Sequence, residues 1–137
     1  MTAGPIVMRL SSTMGYAITA LVRLGHSPDS LLSTPDIASV AGLPERYLLQ
    51  VMKRLRGAGL ITSTRGIKGG YRLARPLSQV SLQDVFDAID GRNMKSLPTQ
   101  GLTVASQRAL ANVLSDVAED ERRRLGAFTL DSLKANV

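Results

Sequence analysis

Residues 34–73 read TPDIASVAGLPERYLLQVMKRLRGAGLITSTRGIKGGYRL, and the order of signals in this stretch decides the fold. Thr34-Pro35-Asp36 sets a capping hydroxyl before a proline suited to the first helical turn, with an acid at the positive end of the helix. Ile37, Ala38, Val40 and Ala41 then predict a short helix that stops at Gly42. Leu43-Pro44 restarts helix, and Leu48, Val51, Met52 and Leu55 recur at helical spacing until Gly57 and Gly59 close it. A short helix, a tight turn and a longer basic helix make the helix-turn-helix pattern, whose second helix is the one shaped to enter a groove.

The next residues add a hairpin. Leu60-Ile61-Thr62-Ser63-Thr64 is rich in β-branched residues and Tyr71-Arg72-Leu73 alternates, with Arg65-Gly66-Ile67-Lys68-Gly69-Gly70 between them. The glycines permit positive φ and close backbone approach, and Arg65 and Lys68 make the tip basic. A helix-turn-helix followed by such a hairpin is a winged helix.

Charge singles out the same region. Between Pro44 and Pro76 lie eight cations, Arg46, Lys53, Arg54, Arg56, Arg65, Lys68, Arg72 and Arg75, against Glu45 alone; the rest of the chain holds nine cations and ten carboxylates. The whole net charge of +6 is therefore gathered in 33 residues. Lys and Arg concentrated in this way replace the counterions around phosphates, so a polyanion is the expected partner. A merely solvated surface explains the charge equally well until the helix and hairpin are considered with it.

Upstream, Ser11 or Ser12 can cap a helix carrying Met14, Ala17, Ile18, Leu21 and Leu24, ended by Gly25 and Ser27-Pro28-Asp29. Downstream, Pro76 begins a linker, and Ser81 caps a helix with Leu82, Val85, Phe86 and Ile89 on one face, stopped by Gly91. Arg92 to Gly101 reads as a loop. A long helix follows from about Leu102 to Leu125, with a seam of Ala109 or Leu110, Val113 or Leu114, Val117 and Leu125. Gly126 ends it, and Thr129 can cap a last short helix containing Leu130 and Leu133. The organisation expected is a winged unit over residues 8–91, a loop over 92–101, and a dimerisation helix with a short C-terminal helix over 102–137. The seam is expected to meet a second copy rather than fold back on its own domain.

Composition excludes several alternatives. With 137 residues, 44% apolar, 4% aromatic and no Trp, one core built mainly of Leu, Val, Ile and Ala is expected. The chain has no cysteine and a single histidine, His26, which removes disulfides, thiolate metal sites, cysteine nucleophiles and multi-histidine zinc sites. His26 sits just past a helix C-terminus, where a structural cap is the simpler reading than a sensor. There is no histidine set with a Ser and Asp motif, no cofactor fingerprint, and no lysine-hydroxyl ending of a phosphate-binding loop, so an enzyme is not expected. Neither a leader nor a run of about 18 apolar residues is visible, which reads as cytoplasmic.

The chain resembles the Rrf2 family of bacterial winged-helix regulators, which includes iron–sulfur-cluster, nitric-oxide-sensing and cysteine-metabolism repressors. The resembling residues are Met8-Arg9-Leu10-Ser11-Ser12 with Tyr16-Ala17, Tyr47-Leu48 with Gln50, Leu55-Arg56 with Gly59-Leu60, and Arg65-Gly66. Gly69-Gly70-Tyr71 and Leu73, Val80-Ser81-Leu82 with Asp84-Val85, and Thr129-Leu130 with Leu133 continue the match. The resemblance implies a homodimer whose long helices cross, a helix from Pro44 in the major groove, and Arg65 in the minor groove. Many relatives hold an iron–sulfur cluster through three cysteines in the loop before the long helix. That loop here, Asn93-Met94-Lys95-Ser96-Leu97-Pro98-Thr99, has none, so the chain resembles the cysteine-free branch. Leu49 also departs from the family, since several relatives carry a polar or acidic residue there, and base preference does not carry over.

The expected function is a dimeric, sequence-specific DNA-binding transcriptional regulator, a repressor acting on a palindromic operator, with no cofactor and with an effector protein or small molecule unidentified. Arg46, Tyr47, Gln50, Lys53, Arg54, Arg65 and Lys68 are the expected DNA contacts. Gln50 suits adenine and an arginine suits guanine, while Tyr47 either packs its ring or offers its hydroxyl to a phosphate. Leu110, Val113, Leu114, Val117 and Leu125 are the expected dimer contacts. The competing reading is a winged-helix module that has lost DNA binding and docks a partner protein.

Overall fold

A computed structural model describes residues 11–90 and 99–134, apart from the side chains of residues 40 and 41. The expected stop at Gly91, the loop over 92–98, the motif residues Met8 to Leu10, and the side chains of Val40 and Ala41 lie outside the described residues. The elements are α1 (Ser12–Gly25), α2 (Thr34–Ala41), α3 (Glu45–Gly57), β1 (Ile61–Thr64), β2 (Gly70–Leu73), a 3₁₀ turn (Leu77–Gln79), α4 (Leu82–Asp90), α5 (Val104–Ala127) and α6 (Asp131–Lys134). The fold is mainly α with a two-stranded antiparallel wing, β1 pairing β2 from Ile61 opposite Leu73 to Thr64 opposite Gly70.

Local chemistry sets the helix ends. Ser11 caps α1, its hydroxyl accepting from the Met14 N–H at 3.3 Å. The cap of α2 is Ser33 rather than Thr34: Ser33 Oγ accepts from the Asp36 N–H at 3.2 Å, while the Asp36 carboxylate accepts from the Ser33 N–H at 3.0 Å. The serine lies three residues before the acid, so it closes a capping box that Thr34, one residue nearer, cannot reach. The Ser33 backbone and hydroxyl hold the Asp36 carboxyl below its ordinary value. That support for α2 is therefore present above the usual aspartate range and is lost as pH falls through the lowered value. Ser81 and Asp84 build the same box on α4, at 2.9 and 3.1 Å.

Met14, Ala17, Leu21 and Leu24 of α1, Ile37 of α2, Leu48, Val51, Met52 and Leu55 of α3, and Val85 and Ile89 of α4 enclose one core. Two isolated bridges tie its edges. Leu32 exchanges backbone hydrogen bonds with Tyr71 at 2.8 and 3.0 Å, adding a single residue of third strand to the wing. Ser81 bridges Thr129, with the Leu82 N–H donating to the Phe128 carbonyl and the Leu130 N–H to the Val80 carbonyl at 3.0 and 2.9 Å. Leu130 is fully buried as a result, and α6 is seated against α1. The last helix thus shares the core of the winged unit.

Helix α5 behaves differently. It starts after Thr103, whose hydroxyl accepts from the Ser106 N–H at 3.1 Å, and runs 24 residues, through Gly126 to Ala127. At 1.5 Å per residue that is about 36 Å of helix. None of its residues is buried, and none of its apolar side chains belongs to the core or packs against it. It packs against α4, where Arg122 pairs with Asp87 at 3.5 Å. Leu110, Leu114, Val117 and Leu125 are half-buried, and Val113 is 59% exposed.

Candidate nucleic-acid interface

The outward face of α3 follows from its inward one. Successive residues advance about 100° around a helix, so with Leu48, Val51, Met52 and Leu55 turned into the core, Arg46, Gln50 and Lys53 fall on the opposite side. All three are exposed. Leu49 and Arg56 lie on one flank, seven residues apart, and Tyr47 and Arg54 on the other. Hydrogen bonds identify the flanks. Arg56 Nη1 donates to Ser63 Oγ of β1 at 3.1 Å, so the Leu49 side faces the wing. Arg54 Nη1 donates to the Ile89 carbonyl at 2.8 Å, so the Tyr47 side faces α4.

The wing tip projects Arg65, Ile67 and Lys68, all exposed, with Ile67 wholly so. Its glycine pair serves the hairpin itself. A Cβ on Gly69 would lie 2.1 Å from the Thr64 carbonyl oxygen, and one on Gly70, at φ +155°, 2.7 Å from that of Leu32. The close approach expected of these glycines is thus made to the chain's own backbone.

The electrostatics separate two groups of cations. Among the described residues, carboxylates pair with Arg75, Arg122, Arg123 and Arg124. Arg46, Lys53, Arg65 and Lys68 have no acidic partner there and make no hydrogen bond within the described fold. Arg23, Arg108 and Lys134 have no acidic partner there either, but they stand one to a helix, whereas α3 and the wing gather these four open cations, and Arg72 of β2, on adjoining elements.

Two expected contacts are placed distinctively. Tyr47 is 63% exposed, so its ring is not packed away. Arg54 spends one nitrogen on a carbonyl at the C-terminal end of α4, one of the acceptors a helix leaves unpaired and a position that favours a cation. Arg54→Ala is accordingly expected to lower stability by about 1 kcal/mol and to leave the salt dependence of DNA affinity near the parent's. Lys53→Ala is expected to do the reverse, flattening log affinity against log salt by about 0.9 for each phosphate it no longer neutralises. Thermal melts and salt titrations of both variants check the pair of outcomes. Leu49, 50% exposed beside these groups, and Arg56, which fastens α3 to the wing, were not among the expected contacts.

Solved structures share this fold. The chain superimposes on CymR (YrzC), the global cysteine regulator of B. subtilis, with a TM-score of 0.71 and 25% identity, covering 95% of this chain and 98% of that one. For T. potens IscR the TM-score is 0.72 and the identity 28%, over 98% and 92%. In sequence it is 33% identical over 133 residues to the HTH-type transcriptional regulator IscR of Xenorhabdus nematophila, covering 94% of this chain and 80% of the relative. Rv1287 of Mycobacterium tuberculosis is 35% identical over 124 residues, 82% and 77%. Residues 10–136 match the family described as Rrf2, iron-dependent transcriptional regulator. A thiolate-held iron cluster does not fit this chain, which has no cysteine; the described residues also hold no group of three His, Cys, Asp or Glu able to bind a metal ion. With its winged helix, its open basic face and a match over nearly its whole length, the chain belongs to the Rrf2 family of DNA-binding transcriptional regulators and is not an enzyme.

Proposed function

We propose that this regulator works as a homodimeric repressor on a palindromic operator, without an iron–sulfur cluster. Each protomer lays α3 in a major groove and sets the wing beside it. The observation that carries the reading is the unpaired positive charge of Arg46, Lys53, Arg65 and Lys68 on the outward face of α3 and the wing tip. Arg46 and Lys53 hold phosphates at the groove edges, Gln50 reads a base, and Tyr47 offers its hydroxyl from the α4 flank. The free nitrogens of Arg54 lie on that flank too. Arg65 suits a narrow minor groove, whose negative potential is enhanced, and Lys68 the adjoining backbone. Its effector is a protein or small molecule rather than a cluster.

Dimerisation is supported by α5. About 36 Å of helix with no buried residue, an apolar line of Leu110, Val113, Leu114, Val117 and Leu125, and exposed Leu102 and Val104 at its start suit a second copy across a two-fold axis. Glu121 lies on the same line, between Val117 and Leu125, and burial pushes its carboxyl above the ordinary range.

Enrichment of duplexes from a random pool, followed by footprinting and light scattering of the complex, tests the proposal. Two protected half-sites about 10 base pairs apart, or a multiple of that spacing, bound by two chains are expected. A single half-site bound by one chain overturns the dimer. No enriched sequence overturns specific readout and leaves the protein-docking module. Transcription in vitro from a promoter carrying the operator is expected to fall as protein is added.

A further inference from the structure

Leu49 sits where the groove reading leaves it no structural task. It is half exposed although the same helix buries Leu48, Val51, Met52 and Leu55 completely. Arg46, Gln50 and Lys53, at three before, one after and four after, are all exposed polar neighbours. Leu49 is therefore the apolar side chain on the outward side of α3, on the flank turned toward the wing.

Base edges in the major groove present donors and acceptors, with one apolar group among them, the C5 methyl of thymine. A leucine pressed on an amino or carbonyl edge displaces water and leaves that edge unpaired, which is unfavourable. Pressed on a methyl, it buries apolar surface on both sides. We propose that Leu49 is a specificity-determining residue, selecting thymine through its methyl at one position of each half-site, with Gln50 beside it reading a neighbouring adenine. The inference rests on α3 being the groove helix and adds what that helix prefers.

The test uses the full chain and the duplex it enriches. Each thymine is replaced in turn by uracil, which removes the methyl and nothing else. At one position of a half-site the parent is expected to lose about fourfold in affinity, the worth of one buried methyl-sized group. Leu49→Ala is expected to bind the thymine and uracil duplexes equally at that position while melting as the parent does. Leu49→Glu is expected to move the preference there to cytosine, whose amino group a carboxylate accepts. Indifference of the parent to every uracil overturns the proposal, as does a penalty that persists unchanged in Leu49→Ala, and in either case the groove reading stands. A parent that enriches no duplex at all overturns the groove reading itself.

Discussion

Replacing Arg46, Lys53, Arg65 and Lys68 together by alanine is expected to abolish specific DNA binding and to leave the fold in place. Both halves follow from the same observation. These side chains are exposed and have no acidic partner among the described residues, so the folded state loses no ion pair with them. Surface changes of that kind stay within about 0.5 kcal/mol each, and relief of crowded like charge offsets part of any loss. Binding is another matter. Each phosphate neutralised contributes about 0.9 to the slope of log affinity against log salt, close to tenfold at about 0.1 M salt. Four such charges removed per protomer therefore imply a loss on the order of 10³ to 10⁴ for each half-site. Fluorescence anisotropy at several salt concentrations reads both the affinity and the slope, and melting curves report the fold. Parent-like binding by the quadruple variant would remove the basic face from the mechanism.

Elements that repeat were legible in the sequence; pairings made by single residues were not. The apolar positions of α3 recur often enough to announce which side is buried, and the outward side follows by geometry. Ser81 was readable as a cap, and Ser11 as one of two adjacent candidates with Ser12, because a hydroxyl three residues before a free N–H is placed to accept from it. The Leu32–Tyr71 and Ser81–Thr129 bridges involve one residue on each side, so no alternation marks them. Arg54 shows a different limit. Its charge is visible in the sequence, but the carbonyl it binds lies 35 residues away on a helix whose position only the packed core defines. Glu121 does not register as part of the α5 seam in an apolar pattern because it is a carboxylate, although its place between Val117 and Leu125 is fixed by helical geometry.

The division of labour along the C-terminal third is open to a direct test. Leu130→Ala is expected to destabilise the winged unit by about 2–5 kcal/mol, the usual cost of truncating a fully buried leucine. At about 3 °C per kcal/mol for a chain of this size, the midpoint falls on the order of 10 °C. The cost is large because Leu130 is buried in the core with Leu21, Leu48 and Leu55. Backbone hydrogen bonds from Leu82 to Phe128 and from Leu130 to Val80 pin the segment in place, so the cavity cannot collapse easily. Val113→Ala supplies the contrast. Val113 is 59% exposed on α5, so its truncation costs the protomer little and is expected to appear as weaker dimerisation, the rise of the midpoint with protein concentration setting in only at higher concentration than in the parent. Melts of both variants across a hundredfold range of concentration separate the two effects. A Leu130→Ala protein that melts with its parent would mean that the Leu130 side chain, just before the last helix, adds nothing to the core. A Leu130→Ala loss that vanishes at high concentration would instead place Leu130's contribution between protomers, because only association responds to mass action.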